Sequence, residues 1–160
     1  MIERVVVLGA GAVGGTIAAL LDSLSVPVVL IARGAHGAAL RESGLTLRMP
    51  DRVLRRRILV AALPAEVDWQ PSDLCLLSTK LQDAEAALEQ VLAAAGPKLP
   101  IACAVNGLHG ERWAASRFET VLSTLVWVVA THLVPGEVRL YSSRRLGVLD
   151  SGPTQGDPDG

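Results

Sequence analysis

The sequence predicts an α/β fold: a doubly wound, mainly parallel sheet with helices on both faces, and short extra strands near the C-terminus. Three observations predict it. Half of the 160 residues are apolar but only 3% are aromatic, so the core must be built from Val, Leu, Ile and Ala, as in parallel sheets covered on both faces. Short unbroken apolar runs alternate with stretches of helical periodicity, the pattern of βαβ units. The first of these runs ends in closely spaced glycines that pass at once into a helical stretch. The length is about one domain's worth, and enough to bury a core.

Val5-Val6-Val7-Leu8 is the first strand, apolar throughout and suited to burial on both faces. Gly9-Ala10-Gly11-Ala12-Val13-Gly14 follows, its glycines spaced G-x-G-x-x-G, and Val13, Ile17, Leu20, Leu21 and Leu24 then recur at helical spacing. Strand, glycine turn and helix in that order are the context that makes this spacing a Rossmann-like dinucleotide fingerprint. Gly9 allows the tight turn, Gly11 lets a pyrophosphate approach the backbone, and Gly14 lets the helix pack closely on the strand. Free N–H groups and the positive end of the helix dipole then face the phosphates. Gly9, Ala10, Gly11, Ala12, Val13 and Gly14 are the candidate pyrophosphate-binding residues. The competing reading is a purely structural glycine turn.

Residues 27–32 give the second strand and complete a unit of about thirty residues. Arg33-Gly34-Ala35-His36 comes next. NAD sites carry an Asp or Glu near this point for the ribose 2′-hydroxyl. Here there is none, and the Arg33 guanidinium suits a 2′-phosphate. Arg33 is therefore the candidate selector of NADP(H), against the alternative of an ordinary surface arginine. Residues 36–42 read as a short helix ended by Gly44. Residues 45–49 and 53–62 read as two strands, with Pro50-Asp51 as the turn. Arg52, Arg55, Arg56 and Arg57 read as a solvated edge of the sheet, since no aromatics interleave them and charged edges oppose aggregation.

Residues 73–79 are the next buried strand, which delivers Lys80 at its carboxyl end. The helical stretch from Ala84 to Leu92 is ended by Gly96-Pro97. In a sheet of order 3-2-1-4-5-6 the strand before Lys80 lies beside the first, and the crevice between them is the topological switch point, where ligands bind. Topology thus sets Lys80 opposite the glycine loop, as a candidate cofactor-binding residue and a candidate for a catalytic role. Residues 100–105 are a further strand, leading to Asn106-Gly107. The amide of Asn106 suits a substrate carbonyl or a nicotinamide, but Asn-Gly is equally a turn pair. Residues 111–118 form another helix, and 120–130 the last long apolar strand, closed by Thr131-His132. Pro135-Gly136 then turns the chain into short strands around 138–141 and 146–149. His132 is either an acid–base group or a local hydrogen-bonding residue. Residues 151–160 lack apolar content and are expected to be a disordered tail or linker after a cofactor domain spanning 1–150.

A formal net charge of −1 draws the chain to neither nucleic acid nor an anionic membrane. No apolar run has the length of a membrane span, and the glycine spacing argues against a signal peptide. Cys75 and Cys103 sit in apolar strands and read as small buried thiols, not disulfide partners or metal ligands. The expectation is a cytoplasmic protein without a metal site.

With these residues in place the chain resembles the N-terminal NADP-binding domain of the ketopantoate reductase (2-dehydropantoate 2-reductase) family, from Met1 to about Asp150. The resemblance rests on Gly9-Ala10-Gly11-Ala12-Val13-Gly14-Gly15, Ala32-Arg33-Gly34, Ser78-Thr79-Lys80, Asn106-Gly107-Leu108 and Pro135-Gly136-Glu137-Val138. It implies reduction of 2-dehydropantoate to pantoate with NADPH, on the way to coenzyme A. It also implies Gly9 to Gly14 on the pyrophosphate, Arg33 on the 2′-phosphate, and Lys80 and Asn106 along the cofactor near the nicotinamide and substrate. Thr131-His132 matches a pair that touches cofactor in the family. Leu81-Gln82 departs from the family pattern, looking one residue short after Lys80. The family's second, helical domain, which supplies the general-acid lysine and binds substrate, is expected to be absent here. A helical second domain or a dimer partner is then needed for turnover of a 2-keto acid. The alternative is a free-standing NADP(H)-sensing module. An FAD site is disfavoured, because it usually carries an acid where Arg33 stands.

Overall fold

The computed structural model describes residues 1–105, 109–142 and 147–154. Its strands are β1 (Arg4–Leu8), β2 (Val28–Ile31), β3 (Leu45–Arg48), β4 (Val53–Arg56), β5 (Leu59–Ala61), β6 (Asp73–Leu77), β7 (Ile101–Cys103), β8 (Val121–Trp127), β9 (Ala130–Val134), β10 (Glu137–Leu140) and β11 (Val148–Pro153). Its helices are α1 (Ala12–Ser23), α2 (Gly34–Ser43), α3 (Leu81–Ala95) and α4 (His109–Ala115). β1 lies inside a seven-stranded sheet of order β11-β8-β7-β6-β1-β2-β5. All its neighbours pair in parallel except β11, which runs antiparallel to β8. From β5 to β8 this is the expected doubly wound order.

The apolar run of β1 serves both faces because side chains alternate along a strand. Val7 joins one core with Ile17, Ala18 and Ala19 of α1. Val6 and Leu8 join the other, with Ala84, Leu88 and Val91 of α3 and Ala114 of α4. A second sheet, of order β4-β3-β10-β9, covers the far side of α1. Leu45, Leu47, Val138 and Leu140 are buried there, in the same core as α1. That helix is thus enclosed between two sheets, which accounts for its run of small residues. A Cβ on Gly15 would come within 2.8 Å of the Val138 side chain.

Three expectations about the strands change. The run 53–62 divides, with β4 pairing antiparallel to β3 in the small sheet and β5 parallel to β2 in the main one. Arg56 is not merely a solvated edge residue: its Nε donates to Asp22 of α1 at 2.5 Å. The run 120–130 also divides, β8 staying in the main sheet while Ala130 already opens β9 in the small one. An apolar alternation reads the same in either sheet, so the sequence pattern does not reveal a strand that changes sheets. Lastly, Ser151, Gly152 and Pro153, assigned to an unstructured tail, pair with Thr124, Ser123 and Leu122 of β8. An edge strand is held by backbone groups, which composition does not register. Leu146 and residues 155–160 lie outside the described residues.

Cys75 and Cys103 are buried and unbridged. Burial pushes both thiols up, that of Cys103 to about 12, so neither is a nucleophile at neutral pH. Among the described residues no helix is long and apolar enough to cross a membrane, and no group of three or more His, Cys, Asp or Glu is placed to hold a metal.

The entry to the main sheet depends on one charged pair. Asp73 is fully buried at the start of β6 and takes two bonds from the Arg4 guanidinium, at 2.8 and 2.7 Å, and a third from the Gln70 N–H at 2.8 Å. Removing one partner of such a pair leaves an uncompensated buried charge. Arg4→Met should lower unfolding stability by about 3 kcal/mol, read as a fall in the urea midpoint at unchanged slope.

Candidate cofactor site

The carboxyl ends of β1, β2, β6 and β7 open on one edge of the main sheet, where a cleft of about 920 Å³ lies. Its walls are the glycine loop, Ala32-Arg33, the segment from Ser78 to Asp83, Ala104-Val105, and His132 from β9. The chain leaves β1 for α1 on one face and the neighbouring β6 for α3 on the other, so the crevice between these two strands is the switch point of the sheet.

Three helices begin on this cleft. Gly11 caps α1, Arg33 caps α2 and Lys80 caps α3, and none of the three makes a side-chain capping bond. No cap side chain takes the first N–H groups of these helices, and each helix brings the positive end of its dipole. Neither α1 nor α2 has an acid in its first turn. With Arg33 and Lys80 on the rim, the cleft is suited to a ligand carrying several negative charges.

The tight turn at Gly9 and the close packing at Gly14 are present as the spacing predicts. Gly9 has φ +102°, a left-handed conformation that favours glycine, and a Cβ there would sit 2.9 Å from the Thr79 nitrogen. On Gly14 it would overlap the Gly9 carbonyl and the Ser78 hydroxyl, whereas on Gly11 it would meet nothing within 4 Å. Ser78 braces the crossing: its hydroxyl donates to Gly9 O at 2.7 Å and its N–H to Leu8 O at 2.9 Å. Sequence reading placed Ser78 in a motif but gave it no role. Its partners lie about seventy positions away, and nothing local signals them.

Arg33 stands at the cleft as expected, with its Nη2 3.9 Å from Asp83 Oδ1. An acid from the first turn of α3 thus faces Arg33, a pairing that the sequence reading did not foresee. Both side chains are about half or more exposed, at 65% and 49%. Such a pair is worth less than about 1 kcal/mol and exchanges readily for a stronger anion. Lys80 is exposed and lines the cleft, as does Gln82. Asn106, with Gly107 and Leu108, lies outside the described residues. The chain leading to it, Ala104-Val105, does line the cleft. His132 faces the cleft, donating from Nδ1 to Glu137 O at 3.0 Å. His36, read only as the start of a helix, lines the cleft too.

Over residues 5–150 the chain matches the family described as ketopantoate reductase PanE/ApbA. Comparison with curated protein sequences gives no match. Among solved structures it is similar to 2-dehydropantoate 2-reductase from Porphyromonas gingivalis W83, with TM-score 0.81 and 27% identity over 94% of this chain and 55% of that one. It is also similar to a PanE/ApbA family ketopantoate reductase from Ralstonia eutropha JMP134, with TM-score 0.78 and 28% identity over 86% of this chain and 46% of that one. A D-mandelate dehydrogenase in ternary complex with NADH and anilino(oxo)acetate shares the fold, with TM-score 0.81 and 24% identity over 92% of this chain and 47% of that one. The chain spans about half the length of these structures.

The contrast between the glycines is open to test by thermal unfolding without ligand. Gly14→Val should lower stability by about 1–3 kcal/mol, or roughly 3–10 °C in Tm, because the new side chain forces α1 off the strand. Gly11→Val should melt close to the parent protein.

Proposed function

The chain belongs to the ketopantoate reductase PanE/ApbA family, and we propose that it is the NADP(H)-binding domain of a reductase that passes hydride from NADPH to a 2-keto acid such as 2-dehydropantoate, on the route to pantothenate and coenzyme A. The observation that carries this reading is the convergence of three helix N-termini without side-chain caps on a cleft whose glycine loop is unobstructed at Gly11. The residues present fit the cofactor. Gly9 to Gly14, with Ala10, Ala12 and Val13, hold the pyrophosphate at the start of α1. Arg33 leaves Asp83 for the 2′-phosphate, a dianion that outcompetes a single exposed carboxylate. Lys80 lies along the bound dinucleotide, and the family resemblance assigns Asn106 a role toward the nicotinamide and substrate. NADPH supplies the hydride when bound.

Hydride arriving at a keto carbon leaves an alkoxide that requires a proton. In this reading the donor comes from a helical second domain or a dimer partner closing over the cleft, and Lys80 serves the cofactor. Leu125 and Trp127 of β8 and Leu133 of β9 are exposed apolar side chains, which supports a covering partner of that kind. The protein is expected to act in the cytoplasm on a small 2-keto acid.

Fluorescence titration tests the cofactor assignment. NADPH should bind more tightly than NADH, and Arg33→Ala should reduce the gap by the value of a charge-assisted bond, about 1.5–3 kcal/mol or roughly ten- to a hundredfold. Asp83→Asn should strengthen NADPH binding about two- to fivefold and leave NADH unchanged, because only the 2′-phosphate competes with that carboxylate. NADH binding as tightly as NADPH would overturn the NADP assignment. An NADPH-oxidation assay with 2-dehydropantoate tests the division of labour. The chain alone should give only background, and steady turnover lost in Lys80→Ala would instead make Lys80 the catalytic acid.

A further inference from the structure

His36, in the first turn of α2, ties the glycine loop to the second sheet. Its Nε2 lies 2.7 Å from Ala10 O, and its Nδ1 lies 2.9 Å from the Gly136 nitrogen. A carbonyl only accepts and a backbone N–H only donates, so this ring is neutral, with its proton on Nε2. Gly136 is the buried turn between β9 and β10, at φ +81°. The Ala10 carbonyl belongs to the peptide whose other end is the Gly11 N–H. That peptide is planar and trans, so its C=O and N–H point in opposite directions. Holding the carbonyl toward α2 therefore fixes the direction of the Gly11 N–H, at the cap of α1 and at the glycine that is open to the cleft.

We propose that His36 is a positioning residue for the pyrophosphate: as the neutral Nε2–H tautomer it locks the Ala10–Gly11 peptide plane against the second sheet, and protonation releases the lock. The proposal rests on the dinucleotide-binding reading. A proton added at Nδ1 meets the Gly136 N–H donor to donor. The groups around the ring offer that proton no anion. The His132 ring lies tilted against it, with centroids 3.9 Å apart and planes at 48°. The Glu137 carboxylate is held by Arg48 at 2.6 Å and lies 3.8 Å from Arg139. Arg33, three residues earlier, faces Asp83. Burial holds His36 below the ordinary histidine value and His132 adds to this, while the bond to Ala10 O opposes it. Since the folded value is the lower one, the stabilising effect of the neutral ring is complete above the ordinary value of about 6.5 and declines as pH falls below it.

The test compares the parent protein with His36→Gln and His36→Leu in NADPH titrations from about pH 8 to pH 5. A glutamine amide offers a donor and an acceptor side by side, like the imidazole, but does not titrate in this range. It also carries the ligand's own 2′-phosphate titration, near pH 6, as the baseline. At pH 8 the parent and His36→Gln should bind within about threefold of each other, with His36→Leu roughly tenfold weaker, the size of a lost hydrogen bond. Toward pH 5 the parent should lose roughly tenfold more affinity than His36→Gln. Nitrogen-15 spectra of the ligand-free protein should show the His36 proton on Nε2. Identical pH profiles for parent and His36→Gln would overturn the proposal even if His36→Leu fails to fold, and so would full affinity in a folded His36→Leu. If the parent does not bind NADPH at pH 8, the cofactor reading falls and this proposal with it.

Discussion

The end of β1 crosses the end of β6 at a separation that admits no side chain. Gly9, with its backbone against Thr79, and Gly14, with its α-carbon against the Gly9 carbonyl and Ser78, both stand where an added Cβ would come within 3 Å of backbone. The Ser78 hydroxyl fills the remaining space and satisfies the turn's carbonyl. This one contact sets where α1 starts, how closely it lies on the sheet, and on which side of the cleft its N–H groups open. The cleft's walls follow from it, because β2 and β6 flank β1 and release their chains toward opposite faces.

The second constraint is that every residue of α1 from Gly14 to Ala19 is buried. The helix packs on β2 of the main sheet and on β3, β4, β9 and β10 of the smaller one. A helix held on two sides needs small residues, and Gly14, Gly15, Ala18 and Ala19 supply them. The arrangement removes freedom from the phosphate-facing end of the helix, so that little has to be ordered when an anion arrives. His36 extends the same support to the loop itself, since it spans from Ala10 to the β9–β10 turn.

Recognition of charge in the cleft is divided between backbone and side chains. The helix termini provide positive ends that do not depend on the identity of neighbouring side chains. Arg33, Lys80 and Asp83 stand on the exposed rim. A rim of opposite charges is a lever for choosing between ligands that differ by one phosphate, because each exposed charge contributes little by itself.

The sequence by itself determined the fold class, the order of the central strands, and the close approaches at Gly9 and Gly14. These follow from local physics: an unbroken apolar strand, a glycine turn and a helical period each leave a mark within a few neighbouring residues. Arg33 and Lys80 were legible for the same reason, as each follows directly from the end of a parallel strand. Only the tertiary structure decided that β4 and β5 part at Arg57, that β8 and β9 belong to different sheets, and that Ser151 to Pro153 pair as an edge strand. It alone brought Asp83 to Arg33, Ser78 beneath Gly9, and His36 between Ala10 and Gly136. Each of these joins partners far apart in the chain through polar or backbone groups, and such pairings leave no periodicity in a sequence to be read.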